Sequence, residues 1–303
     1  WGLALEAVGK FYDRVLAKPA GLVPPQLVNR ATMRFDETPA LLQELIGRGF
    51  YERIVRLAQR TAEMHQALAS DKSNAAFAPE QITPNYQRSL YSSFRKLVRD
   101  RFDLLEKSLS KIDPLTQQLA KKVLAMEDQI LGCFAEVNQH RISGEKIRVH
   151  GDYHLGQVLF TGSDFVIIDF EGEPGVSFNE RRLKKSPFKD VAGMMRSLHY
   201  AALGRILLTD TYSKSQVEQL EKWAEQWQHY VNRYFLGAYL QSMGMETRFT
   251  AQHEVLLLTL LLEKAIYELG YELNGRPAWT VVPLRGIYYL MQRYLAGKQD
   301  QQK

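Results

Sequence analysis

The sequence predicts a mainly α-helical fold with one small β-hairpin embedded in it. Three observations carry that expectation. Apolar residues recur at helical spacing through most of the 303 residues. Thr38-Pro39, Thr83-Pro84 and Asp113-Pro114 mark helix starts, with a capping side chain followed by a proline whose missing N–H costs nothing in the first turn. The period changes convincingly to that of strands in one place. There Val158-Leu159-Phe160 and Phe165-Val166-Ile167-Ile168 are joined by the turn signal Thr161-Gly162-Ser163-Asp164.

The elements follow in order. The N-terminal stretch to about Lys18 is an amphipathic helix, and Pro19, Gly21, Pro24 and Pro25 then mark a loop. Helical sequence runs from Thr38 to Leu68, with a break at Gly47 and Gly49. It resumes from Thr83 to Leu109 and from Asp113 to Val137 or beyond. Lys146-Ile147-Arg148-Val149 reads as a short strand before the hairpin. Helices follow near 190–205, 213–243, 250–272 and 283–297. The chain is thus expected to comprise a helical part (1–145), a loop and hairpin (146–175) and a second helical part (176–303), together one compact domain.

Composition narrows the function classes. A hydrophobic fraction of 45% supplies a sizeable core. The longest apolar run, Val255 to Leu262, ends at Glu263, far short of the roughly 20 residues needed to span a bilayer. No leader pattern of charge followed by an apolar stretch opens the sequence. Cys133 is the sole cysteine, so no disulfide forms within the chain, and a reducing, cytoplasmic setting is expected. The net charge of +5 comes from basic residues interleaved with acidic ones, not from a basic stripe with aromatics, which argues against a nucleic-acid partner.

The chemistry-bearing residues gather at the hairpin, after Val149-His150-Gly151-Asp152-Tyr153-His154-Leu155-Gly156-Gln157. In protein kinases a loop Asp accepts the acceptor hydroxyl proton. An Asn five positions later and an Asp after the next strands hold magnesium against the phosphates. Here Asp152 precedes Gln157 by five positions, and Asp169 ends the second hairpin strand, which folds it back beside that loop. Gln in place of Asn keeps the carbonyl oxygen and adds a methylene. Mg2+ prefers oxygen ligands and retains several waters, so two protein oxygens suffice. Glu171 offers a further oxygen. Asp169, Glu171 and Glu173 repel one another unless a cation is near, which favours a metal site.

Other readings compete. A strand-end Asp is often only a turn residue. His150-x-Asp152 with a remote His199, His229 or His253 is the facial ligand set of non-haem iron enzymes, but that site needs a strand-rich enclosure. His65, on a helix with apolar neighbours, reads as a packed core histidine. Asp190 reads both as a helix N-cap and as a brace for the loop.

Several segments together resemble the maltokinases, which belong to the aminoglycoside-phosphotransferase-like kinases. These are His150 to Gln157; Ile168-Asp169-Phe170-Glu171-Gly172-Glu173-Pro174; Ser186-Pro187-Phe188-Lys189-Asp190-Val191-Ala192-Gly193-Met194-Met195-Arg196-Ser197; Glu263 to Trp279; and Val282-Pro283-Leu284-Arg285-Gly286-Ile287. Arg60-Thr61-Ala62-Glu63-Met64-His65 extends the likeness toward the N-terminus. The resemblance implies the helical C-lobe of a protein-kinase-like fold. It implies transfer of phosphate from ATP, with Mg2+, to the anomeric hydroxyl of maltose, giving maltose 1-phosphate. On that basis Asp152 is the base and Gln157 and Asp169 hold the metal, while Glu171 remains, from its place in the acidic segment, a further ligand or a support for one. His154, Lys264, Tyr267, Tyr271 and Arg285 contact the sugar, while His150 and Asp190 are structural. Because maltokinases often occur fused behind a trehalose synthase domain, such a domain or subunit is an implied partner.

Residue spacing lends the sugar assignment independent support. Lys264, Tyr267 and Tyr271 share one helical face, and a charge beside two phenols suits a sugar. The same pattern also fits an amphipathic helix with tyrosines at the core edge. A nucleotide-cradling motif is lacking: neither Gly-x-Gly-x-x-Gly nor Gly-x4-Gly-Lys-Ser/Thr occurs, and no Val-Ala-x-Lys-like strand precedes the hairpin. The expectation is therefore a C-terminal fragment, the helical lobe without its nucleotide lobe, with little kinase activity alone. The competing class is a non-catalytic kinase-like module that binds sugar or docks onto a trehalose synthase.

Overall fold

The computed structural model describes residues 1–19 and 21–301. In chain order the helices are α1 (Gly2–Leu16), α2 (Ala40–Ile46), α3 (Arg48–Leu68), α4 (Pro84–Ser108), α5 (Pro114–Leu124), α6 (Glu127–Ala135), α7 (Phe178–Arg181), α8 (Phe188–Leu207), α9 (Lys214–Ser242), α10 (Ala251–Gly275) and α11 (Val281–Gln301). The strands are β1 (Glu80–Gln81), β2 (Glu145–Lys146), β3 (Val158–Phe160) and β4 (Phe165–Ile167), paired β1 with β2 and β3 with β4. The fold is mainly helical, as the periodicity predicts, with β3–β4 as the expected hairpin and β1–β2 a second two-stranded pairing whose strands lie far apart in the sequence. No helix among the described residues is long and apolar enough to cross a membrane.

The helix starts show how the local chemistry operates. Thr83 Oγ1 accepts from the Tyr86 amide at 3.2 Å, and an Asp113 carboxylate oxygen accepts from the Leu115 and Thr116 amides, each at 3.0 Å. Both caps satisfy first-turn N–H groups that have no partner within the helix. Thr38 departs from the pattern. Helix α2 begins at Ala40 after Pro39, and the Thr38 hydroxyl instead bonds the Tyr234 hydroxyl at 2.6 Å and the Arg34 carbonyl at 3.2 Å. The helix expected from Asp113 to Val137 is two helices, interrupted at Ala125 and Met126. The strand expected at 146–149 shrinks to β2 and one bridge from Ile147 to Lys185.

The chain divides into two compact units. The first comprises Trp1–Glu80 and Lys146–Phe249. Its core is built where α9 packs on α3 and α8, and α1 on α8. Trp223, Trp227, Tyr12 and Tyr230 are fully buried there. The second comprises 81–145 and the residues from Thr250 onward, with α10 packed on α4 and α11, and α11 on α5. The apolar run from Val255 to Leu262 lies in α10, where Leu256, Leu260 and Leu262 are buried.

Candidate active site

The loop from His150 to Gln157 is held in the first unit by α3 and α8. On α8, Asp190, Gly193 and Ser197 are spaced by three and four residues and share one face. Asp190 Oδ2 accepts from the His150 amide at 2.7 Å, and Oδ1 accepts from the Gly151 amide at 3.0 Å. One turn on, Gly193 lets the helix approach the Tyr153 carbonyl so closely that a Cβ would sit 2.5 Å from its oxygen. A further turn on, Ser197 Oγ accepts from the Leu155 amide at 3.0 Å. Gly193→Ala is therefore expected to destabilise the protein by about 1–3 kcal/mol, because the added methyl meets backbone and not a yielding side chain; urea unfolding measures it.

Helix α3 adds Thr61 and His65, one turn apart. The Thr61 hydroxyl donates to the Leu57 carbonyl at 2.8 Å, which leaves it to accept from the Tyr153 phenol at 2.8 Å. Burial raises the Tyr153 phenol well above its ordinary range, so it stays protonated and donates. His65, fully buried, donates from Nε2 to Asp190 Oδ2 at 3.0 Å. Its Nδ1 is hydrogen-bonded to the Tyr239 hydroxyl at 2.9 Å, and burial likewise raises that phenol. Burial alone would push the Asp190 carboxyl up. The bonds from His65 and from the Gly151 and His150 amides outweigh it and hold the group below the ordinary carboxylate value. Asp190 lies in the first turn of α8, two residues beyond its start, so it is the loop's brace and not the helix cap.

The hairpin brings the other oxygens into place. Val158 pairs with Ile167, so Gln157 and Ile168 lie opposite each other, joined by the Ile168 amide donating to the Gln157 carbonyl at 3.0 Å. His150 accepts from the Asp152 amide on Nδ1 at 3.4 Å and donates from Nε2 to the Ile168 carbonyl at 2.8 Å, tying the loop to the end of β4. The next residue, Asp169, has φ 65°, the only positive φ at a non-glycine position among the described residues. Asp tolerates this left-handed conformation better than most residues. Gln157 Nε2 then donates to Asp169 Oδ2 at 2.7 Å. Gly151, with φ 90°, gives the loop a turn that other residues resist. At the far end of the hairpin, Arg60 grips Asp164 with two bonds of 2.8 and 2.6 Å and holds that carboxyl down to about 2.

Residues 11–172 match the family described as the phosphotransferase enzyme family, a span that contains Asp152, Gln157, Asp169 and Glu171. The chain belongs to this family. Among curated proteins it is 24% identical over 229 residues to a glucosamine kinase of Streptacidiphilus jiangxiensis, covering 75% of this chain and 47% of that one. It is 31% identical over 137 residues to a glucosamine kinase of Mycolicibacterium smegmatis, covering 44% of this chain and 32% of that one. A solved glucosamine kinase in complex with glucosamine, ADP and inorganic phosphate superposes with a TM-score of 0.68 at 21% identity. The superposition covers 99% of this chain and 62% of that structure. The chain thus spans less than two thirds of each of these relatives. The relatives named are glucosamine kinases, whereas the resemblance read from the sequence points to maltose.

The remaining residues expected at the site lie as follows. Asp152 is half-buried, and its Oδ2 is 3.8 Å from His154 Nε2. His154 caps the short turn at 155–157 by accepting from the Gly156 amide at 3.0 Å. Glu171 is exposed, in the loop that follows Asp169. Lys264, Tyr267, Tyr271 and Arg285 belong to the second unit, on α10 and α11. Lys264 Nζ lies 5.0 Å over the Tyr267 ring. Tyr271 is 60% exposed, with the Arg276 guanidinium 5.5 Å over its ring.

The donor types of Gln157 and Asp169 are among those that Mg2+ takes. The Gln157 amide nitrogen faces the Asp169 carboxylate, so holding Mg2+ between the two residues requires the amide to turn and present its carbonyl oxygen, a hard donor of the kind Mg2+ takes. The expectation that the three carboxylates cluster is not met: among the described residues, no group of three His, Cys, Asp or Glu side chains is arranged to hold a metal. The iron reading fails on the same finding. Both nitrogens of His150 are engaged, His199 Nδ1 bonds Arg196 at 2.7 Å, and His229 Nε2 bonds the Val28 carbonyl at 3.0 Å.

Thr61, His65, Tyr239 and Ser197 are the residues that sequence reasoning passed over as site components. The signal that finds Lys264, Tyr267 and Tyr271 was present for two of these groups as well. Thr61 and His65 are four residues apart, and Ser197 continues the face of Asp190 and Gly193.

Proposed function

We propose that the chain carries the phosphoryl-transfer centre of an ATP-dependent sugar kinase, with maltose as acceptor. The observation that carries the reading is the Gln157–Asp169 pair, set by the hairpin register beside a loop that presents Asp152. In this reading Asp152 accepts the proton of the attacking hydroxyl, and Asp190 fixes the loop through the His150 and Gly151 amides so that the carboxylate keeps its place. Gln157 and Asp169 hold Mg2+, with Glu171 as a further oxygen nearby in sequence. When bound, the ion neutralises charge on the phosphates. His154, Lys264, Tyr267, Tyr271 and Arg285 are assigned to the sugar.

Maltose is preferred on the chemistry of the assigned residues. Two phenols and a lysine offer ring faces and donors to a neutral disaccharide. The ammonium of glucosamine is better served by a carboxylate than by Lys264. Glucosamine stands as the second reading because the curated relatives and the superposed structure are glucosamine kinases.

Calorimetry separates the two. Maltose is expected to bind the full-length protein, and Lys264→Ala to weaken it by about tenfold, the equivalent of one charge-assisted hydrogen bond. Glucosamine binding with no maltose binding would replace the first reading with the second.

A further inference from the structure

The acidic segment after Asp169 is fastened by one side chain that neither the motif reading nor the proposed mechanism uses. Arg181 ends the short helix α7. Its Nε donates to the Val176 carbonyl at 2.7 Å and its Nη2 to the Pro174 carbonyl at 2.7 Å, while Nη1 reaches the Glu171 carbonyl at 3.5 Å. The stem of the side chain lies on Gly172, where a Cβ would meet Arg181 Cβ at 3.3 Å. Gly172 has φ 76°, so the backbone turns there under the arginine. Helix α7 is in turn started by Ser177, whose hydroxyl accepts from the Glu180 amide at 3.4 Å. One guanidinium thus spans the loop at residues 171, 174 and 176, a fan of donors that a lysine ammonium on a flexible stem does not reproduce.

We infer that Arg181 is a positioning residue for the metal site: by pinning the Glu171 to Val176 loop it sets where Glu171 and the chain just after Asp169 stand. The inference rests on the proposed role of Asp169 and Glu171 in holding Mg2+. Phe170 contributes to the same ordering, since its ring packs 5.0 Å from His150, between the pinned loop and the catalytic one. Neither Asp169 nor Glu171 is contacted by the Arg181 head through its side chain, so the effect travels through backbone position and not through charge pairing.

The test is a titration of the full-length protein with Mn2+ in the presence of ADP, read by water-proton relaxation. Arg181→Ala is expected to weaken Mn2+ binding by about 10–100-fold, the range found when outer supports of metal ligands are removed. Arg181→Lys should recover little of it. Gly172→Ala, which drives a methyl against the arginine stem, should weaken binding in the same direction. Arg182→Ala, whose guanidinium lies 5.5 Å over the Phe178 ring, should bind as wild type does. Wild type that binds Mn2+ with Arg181→Ala unchanged overturns this inference and leaves the metal assignment standing. Wild type that holds no Mn2+ overturns both.

Discussion

Asp152→Asn is expected to lower the turnover of sugar phosphorylation by the full-length protein by about 10²–10⁴-fold, the usual worth of a positioned general base. The amide keeps the size and shape of the carboxylate but cannot take the hydroxyl proton. The loop around it is fastened at His150, Gly151, Tyr153 and Leu155, none of which needs the Asp152 side chain. The thermal midpoint should therefore move little. The loss should fall on kcat with KM nearly unchanged, because the proton is transferred in the transition state and not in the ground state. Steady-state kinetics beside a melting curve measures both. A lowered midpoint, with KM raised as kcat falls, would indicate a structural role instead.

The largest effect on stability is expected at Asp190. Asp190→Ala strips a buried carboxylate from three donors at once, the His65 ring and the His150 and Gly151 amides. Donors left buried without partners cost more than an ordinary hydrogen bond is worth, and removing one side of a buried charged group typically costs about 3–5 kcal/mol. Denaturant unfolding reports it. Asp190→Asn should be nearly as harmful, since its NH2 must face an N–H. The sign of the pH dependence follows from the depressed carboxyl. Between the folded value and the unfolded value near about 3.9 the unfolded chain binds the extra proton. The Asp190 contribution is thus complete at neutral pH and is lost as acid titrates through the folded value. Wild type should lose stability below about pH 4 more steeply than Asp190→Asn, and unfolding curves at stepped pH would show the two converging.

Much of this arrangement could be read in the sequence because it is local. The caps at Thr83 and Asp113, the break at Gly47 and the hairpin at 158–167 each follow from a few adjacent residues. So does the convergence of Gln157 and Asp169, since a tight hairpin forces residues just outside its strands together. The loop brace was legible only by half. Asp190 stood out, but its link to His65 spans 125 positions, and a buried histidine beside apolar neighbours gives no sign of its partner. The left-handed backbone at Asp169 and the Arg181 fan are likewise products of tertiary packing, with no spacing rule to announce them. The gap between α5 and α6 was missed because Ala125 and Met126 favour helix, and no glycine or proline marks the break. The acceptor sugar is the least legible feature. A lysine and two tyrosines on one face suit many polyols, and the relatives named are kinases of a different sugar.

The central claim is that this chain's loop and hairpin transfer phosphate to a sugar hydroxyl through Asp152. It is tested most directly by 31P NMR of the full-length protein incubated with ATP, Mg2+ and either maltose or glucosamine. A new sugar-phosphate resonance formed with wild type and absent with Asp152→Asn is the predicted result, with maltose the sugar that gives it. A sugar phosphate formed equally fast by Asp152→Asn would contradict the account.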